Sequence, residues 1–323
     1  MFYHADRFEE AIEHLEIVGS IESKGYILRC LYLMDDRAGF CELLDYFINE
    51  GEVNAMVGSL VSRSEIRHGL NKENLFCKKP LSYLQEVDLS QRYDFENLIV
   101  NPVETLLSQN RLPMRRQSLL SNGTQTAGNL FELEATSTAE IEKIIRLEID
   151  NYRAQFSDSE EGFLKNWPLD YSLSGWLVSL RSGGELAPHM HEEGWLSGSI
   201  YINVPSDLEG DSGCLVVTME EDKYLSAQSK VYKKVVGVST GSLALFPASL
   251  LHYTIPFESE EHTIVLAFDV IPRNEKLARN QQSGNTYNTK KRVKHGRLTD
   301  IVNPPQKEID TLIKTYRGGQ FGE

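Results

Sequence analysis

The sequence is short of positive charge. Lys and Arg number 33 against 47 Asp and Glu, which leaves a net charge of −14 over 323 residues. A phosphate backbone demands a basic footprint, so general nucleic-acid binding is excluded. The acidic excess gives a soluble, self-repelling surface. Cysteine is scarce as well. Cys30, Cys41, Cys77 and Cys214 are scattered without Cys-x-x-Cys spacing, and they read as reduced, packed thiols of a cytoplasmic protein. No apolar run approaches the length that spans a bilayer, so no membrane segment is expected. The opening Met-Phe-Tyr-His-Ala-Asp-Arg lacks a basic region followed by an apolar one, so no secretory signal is expected either. Asn122-Gly123-Thr124 fits the glycosylation pattern, but without such a signal it reads as a turn.

What remains is enough to build cores: 41% of the residues are hydrophobic, and the length suits two domains. Residues 1–72 read as helical. Phe8, Ala11, Ile12 and Leu15 begin one apolar stripe; Tyr26, Ile27, Cys30 and Leu31 form a second. Phe40, Leu43, Leu44 and Phe47 form a third, and a fourth runs from Val53 to Ile66. The openings Asp6-Arg7-Phe8 and Asp36-Arg37-Ala38 recur about thirty residues apart. This resembles degenerate tetratricopeptide helix pairs, whose period is about 34 residues; an ordinary helical bundle fits the same pattern. Residues 73–111 read as a connecting segment, broken at Lys79-Pro80 and Asn101-Pro102.

The character changes from residue 112. A helix is predicted over 138–156, with Ser137 or Thr138 as its cap and Ile141, Ile144, Ile145, Ile149 and Tyr152 as its stripe. Short strands follow: 173–180, 186–191, 196–204, 214–218, 234–238, 242–246, 251–255 and 263–270. Gly, Pro and acidic turns separate them and no helices intervene. That pattern indicates an α+β chain whose second part, 112–272, is an antiparallel sandwich or jelly roll. Residues 273–323 form a polar extension with the basic run Lys290-Lys291-Arg292-Val293-Lys294, which reads as an arm for an acidic partner or as a solvated segment.

The chemistry gathers at His189-Met190-His191. Side chains two apart on a strand share a side, so two imidazoles converge. Gly183-Gly184 and Pro188 precede them, and Gly194 follows. A third, His252, follows Gly241-Ser242-Leu243-Ala244-Leu245-Phe246-Pro247, a strand running into a proline turn. Neutral imidazole is the commonest metal ligand, and two near ligands plus a remote one leave positions open for a substrate. His189, His191 and His252 are therefore the candidate metal ligands, and no catalytic residue beyond them is indicated.

With Leu196-Ser197-Gly198-Ser199-Ile200-Tyr201 and Ile264…Ala267-Phe268-Asp269-Val270, these motifs resemble the 2-oxoglutarate/Fe(II) oxygenase family over roughly residues 112–272. The resemblance implies a double-stranded β-helix (jelly-roll) domain with flanking helices, behind an N-terminal helical module. It implies Fe(II) as cofactor, 2-oxoglutarate and O₂ as co-substrates, succinate and CO₂ as products, and hydroxylation of a protein, peptide or small molecule. The family usually has Asp or Glu two residues after the first His. Here His191 stands there, so the set is three-histidine or takes its carboxylate from Glu192 or Glu193; strand alternation favours His191. An Arg or Lys usually stands about ten residues beyond the remote His to pair with the far carboxylate of 2-oxoglutarate. His262 stands there, and Arg181 is a candidate replacement. Tyr201 occupies a position that, by resemblance, hydrogen-bonds that carboxylate, and Ser199 shares its face. Arg115, Arg116 and Gln125 could line the mouth. Two other readings fit the same motifs: a cupin-type metal enzyme, and a β domain that has lost catalysis and only binds a partner.

Overall fold

The computed structural model describes residues 7–108, 112–115, 117–133, 136–221 and 232–273. The extension 274–323, with its basic run, and Arg116 lie outside them. The chain divides into two units, one of residues 1–46 with 274–323 and one of residues 47–273.

The first unit holds α1 (Phe8–Val18), α2 (Ile21–Leu33) and the start of α3 (Arg37–Asn49). Ser20 caps α2 by accepting from the amide of Ser23, and Gly19 takes the left-handed conformation between the two helices, φ +66°. Phe40 and Tyr32 pack ring against ring, centroids 6.1 Å apart.

The second unit carries α4 (Ala55–His68), β1 (Gln85–Asp88), α5 (Asn101–Ser108), β2 (Met114–Arg115), β3 (Leu120–Thr126), α6 (Thr136–Gln155) and α7 (Gly162–Lys165). Then come β4 (Tyr171–His189), β5 (Leu196–Asn203), β6 (Leu215–Thr218), β7 (Lys233–Val236), β8 (Ser242–Pro247), β9 (Leu251–Thr254) and β10 (Thr263–Pro272). The strands run in the order β1-β8-β5-β10-β4-β9-β6-β7, with β3 beside β4 and β2 beside β3. Every pairing is antiparallel. This is the curled antiparallel sheet of a jelly roll, with the helices before it.

One strand links the two halves of the curl. The first part of β4, Tyr171–Leu180, pairs with β10. Its end pairs with β9, His189 against His252. Between them the chain turns at Gly183, φ +69°, a conformation that L side chains resist.

The two faces of β10 show the sheet's sidedness. Leu266, Phe268 and Val270 join Ile141, Ile144, Ile145, Ile149 and Tyr152 of α6 in the large core. Burying each such side chain is worth about 1.5–3 kcal/mol. Val265, on the alternate face, joins a different core with Tyr201, Val217, Ala244 and Phe246. Thr263, Ala267 and Asp269 share that inner parity.

Two boundaries differ from the sequence reading. The segment 73–111 is no mere connector: Phe76, Cys77, Val87, Leu89, Phe95, Ile99 and Val103 belong to the large core, and β1 extends the sheet beside β8. The helical module does not end at 72 either. The division falls between Tyr46 and Phe47, because α4 packs within the second unit. A built Cβ at Gly58 would lie 2.6 Å from Phe76, and buried Arg63 pairs with Glu220 (Nε–Oε1 3.2 Å) and Glu221. Four helices do occupy the N-terminal segment, fewer than the three helix pairs a tetratricopeptide array needs.

Candidate metal centre

Two paired strands and the loop that follows one of them deliver three imidazoles. His189 closes β4, and His252, on β9, is its direct cross-strand partner. The turn Pro247–Leu250, closed by the Leu250 amide on the Pro247 carbonyl at 3.0 Å, sets the entry to β9. His191 lies in the loop after β4. That loop is fixed by a Gly194-to-His191 backbone bond of 3.0 Å and by Trp195, whose indole N–H donates to Phe163 of α7 at 2.7 Å. One possible ligand atom from each histidine lies within 4.8 Å of the others. Among the described residues, this group holds neither Glu192 nor Glu193.

Hydrogen bonding fixes which nitrogens face inward. His189 Nδ1 donates to the Ala187 carbonyl at 2.9 Å, and His191 Nδ1 donates to the Asp269 carboxylate at 2.8 Å. Both hydrogens are thus on Nδ1, and both Nε2 atoms present bare lone pairs to each other at 3.3 Å. Nδ1 of His252 is buried without a partner. Converging lone pairs repel unless a cation lies between them. A proton is a poor candidate, because burial and then the neighbouring His191 push His189 down to about 3. Burial followed by the other two histidines drives His252 well below its ordinary value. The donor set therefore fits a metal ion of imidazole preference, with Fe(II) among those it suits.

The co-substrate candidates divide. Tyr201 and Ser199 lie on the inner face of β5, opposite Val265 and Ala267 of β10. Burial, with Cys214 adding to it, pushes the Tyr201 hydroxyl far up, so it acts as a neutral donor. Arg181 and His262 are both exposed. Arg181 has the opposite parity to Trp176, Val178 and Leu180, whose cross-strand partners Ala267, Val265 and Thr263 face inward. His262 precedes the first residue of β10, and the inward position falls to Thr263. Thr263 is 1% exposed and its Oγ1 has no partner. Its parity with Asp269 is the signal in the sequence that marks it as inward-facing. Arg115 is exposed, and Gln125 is half-buried on β3. Among the described residues, the inner positions of β5, β8 and β10, and of β4 up to Leu180, carry no Lys or Arg.

Residues 174–269 match the family model described as "Putative 2OG-Fe(II) oxygenase". That stretch runs from β4 through β10 and contains all three histidines. The match is confined to this segment, and with the antiparallel strand order it supports reading the β-sheet domain as a 2-oxoglutarate-dependent non-haem iron oxygenase. No curated protein matches the chain in sequence. Among solved structures, a prolyl-4-hydroxylase from Pseudomonas putida aligns at 11% identity and TM-score 0.42, covering 59% of this chain and 93% of its own. A Trichoplax adhaerens prolyl hydroxylase, solved with a hypoxia inducible factor oxygen degradation domain peptide fragment, aligns at 8% and 0.42, covering 75% and 97%. HygX from Streptomyces hygroscopicus, solved with nickel and 2-oxoglutarate, aligns at 14% and 0.38, covering 58% and 82%. The family model and the strand order carry the assignment; these distant likenesses add no weight to it.

Proposed function

We propose that the protein hydroxylates a protein, peptide or small-molecule substrate, using Fe(II) held by His189, His191 and His252. The observation that carries this reading is the pair of bare Nε2 atoms 3.3 Å apart, beside a third buried imidazole. When bound, the iron supplies oxygen activation coupled to decarboxylation of 2-oxoglutarate. The chain's own part is to hold the ion from one side and to seat the co-substrate. Trp176 stands edge-on to His191, ring centroids 5.0 Å apart, and Phe246 stands 5.1 Å from His252; these rings keep water away from the nitrogens. Tyr201, Ser199 and Thr263 offer hydroxyl donors on the inner face for the far carboxylate of 2-oxoglutarate. We place the protein in the cytoplasm, where its free thiols stay reduced.

The test is a titration of the full chain without oxygen. Fe(II) is added first and 2-oxoglutarate second, and the charge-transfer absorption of a chelated 2-oxo acid is recorded. Succinate release is then measured against peptide and small-molecule panels. Absorption with succinate release supports the proposal. Iron binding with no such absorption returns the chain to the cupin-type reading, and no iron binding to the partner-binding one.

A further inference from the structure

We infer that Asp269 is the positioning residue of the centre, and that its carboxylate acts on the metal through His191. The inference rests on the three-histidine reading above. Three neutral imidazoles bring no charge to a divalent ion, whereas a set of two histidines and one carboxylate cancels one of its two positive charges. Here the missing negative charge stands one ring behind. Asp269 Oδ1 accepts from His191 Nδ1 at 2.8 Å, which sets the tautomer and turns Nε2 toward the other histidines. A carboxylate behind a ligating imidazole also raises its donor strength.

Asp269 is held for this task. Ser197 Oγ donates to the same oxygen at 2.7 Å. A Cβ built on Gly194 would lie 3.3 Å from that oxygen, so the loop backbone closes over it. The residue is 4% exposed, and a charge so little screened acts strongly on a nearby cation. The other two histidines have no such support. His189 rests on a neutral peptide carbonyl, and His252 Nδ1 has no partner. The charge thus reaches the one histidine that occupies the position where the family usually has a carboxylate.

The test is anaerobic titration of the full chain with Fe(II) and, as a spectroscopic stand-in, Co(II). Wild type, Asp269→Asn and the double variant His191→Asp/Asp269→Asn are compared. Asp269→Asn keeps size and an acceptor oxygen but removes the charge. Metal affinity should fall 10- to 100-fold, with altered Co(II) absorption and an unchanged melting temperature before metal is added. In the double variant the carboxylate moves next to the metal, and affinity should return to within about tenfold of wild type. Should Asp269→Asn fail to fold, Ser197→Ala decides instead: it frees the carboxylate from its other donor without removing the charge, and an unchanged Co(II) absorption there overturns the inference. Wild-type affinity in Asp269→Asn, or no recovery in the double variant, overturns the inference while leaving the three-histidine centre standing. A wild-type chain that binds neither ion overturns the centre itself.

Discussion

His189 and His252 are cross-strand partners with ring centroids 4.3 Å apart. Two candidate ligands 63 positions apart in sequence are thus placed by one antiparallel pairing rather than by a flexible loop. Metal should stabilise the fold in consequence. At a free metal concentration of about 100 times Kd, the gain is about 2.7 kcal/mol, read as a rise of several degrees in Tm. His252→Ala should abolish the rise, and so should His189→Ala; a chelator should reverse it in wild type. Differential scanning fluorimetry with and without Fe(II) checks this, and an undiminished rise in either variant would sink the ligand assignment.

Thr263 makes a second prediction. Thr263→Val removes only a hydroxyl that has no partner within the protein. The metal-free protein should be as stable as wild type or slightly more so, since an unsatisfied buried group costs about 1–3 kcal/mol. Losing a hydrogen bond to a charged group is worth about 1.5–3 kcal/mol, so the KM for 2-oxoglutarate should rise at least tenfold. Arg181→Ala, at an exposed position, should leave that KM unchanged. Steady-state succinate release decides both.

A third prediction concerns the contact of β5 with β10. A Cβ on Gly198 would stand 2.2 Å from the Phe268 ring, and Phe268 is fully buried. Gly198→Ala should cost about 1–3 kcal/mol and lower the urea midpoint. A midpoint equal to wild type would show that the ring can move aside.

The last is electrostatic. Arg63 and Glu220 are both buried and paired at 3.2 Å. Glu220→Ala should destabilise by about 1–3 kcal/mol, because the guanidinium loses a buried partner while keeping Glu221 at its half-buried side. Replacing both with apolar residues of similar volume should cost much less. Denaturant melts of the two variants compare the effects directly; equal losses would refute the pairing argument.

Much of this was legible in the residues. Short runs between Gly, Pro and acidic breaks located the strands that frame the centre, and the spacing of His189, His191 and His252 located the cluster itself. The sheet edge at β1 was not legible, since Gln85–Asp88 is too short and polar to show a period; only its neighbour β8 makes it a strand. The inward role of Phe76, Leu89 and Ile99 was hidden for a similar reason, because tertiary packing rather than local pattern assigns them to the core. At the co-substrate end, a count along the chain and side-chain parity point to neighbouring residues. That count reached His262, whereas the inward residue is Thr263. The same parity puts Arg181 on the outside.

The strand order has a consequence for biosynthesis. β10, the last of the described strands to be synthesised, lies between β5 and β4. A nascent chain that ends before residue 263 has all three histidines, on β4, on β9 and in the loop after β4, but lacks the strand that lies between β5 and β4. It also lacks Asp269 behind His191. The sheet therefore closes only after β10 has left the ribosome, with its unpaired strand edges exposed until then. A truncation that removes β10 should therefore give an aggregation-prone chain in place of a smaller working domain.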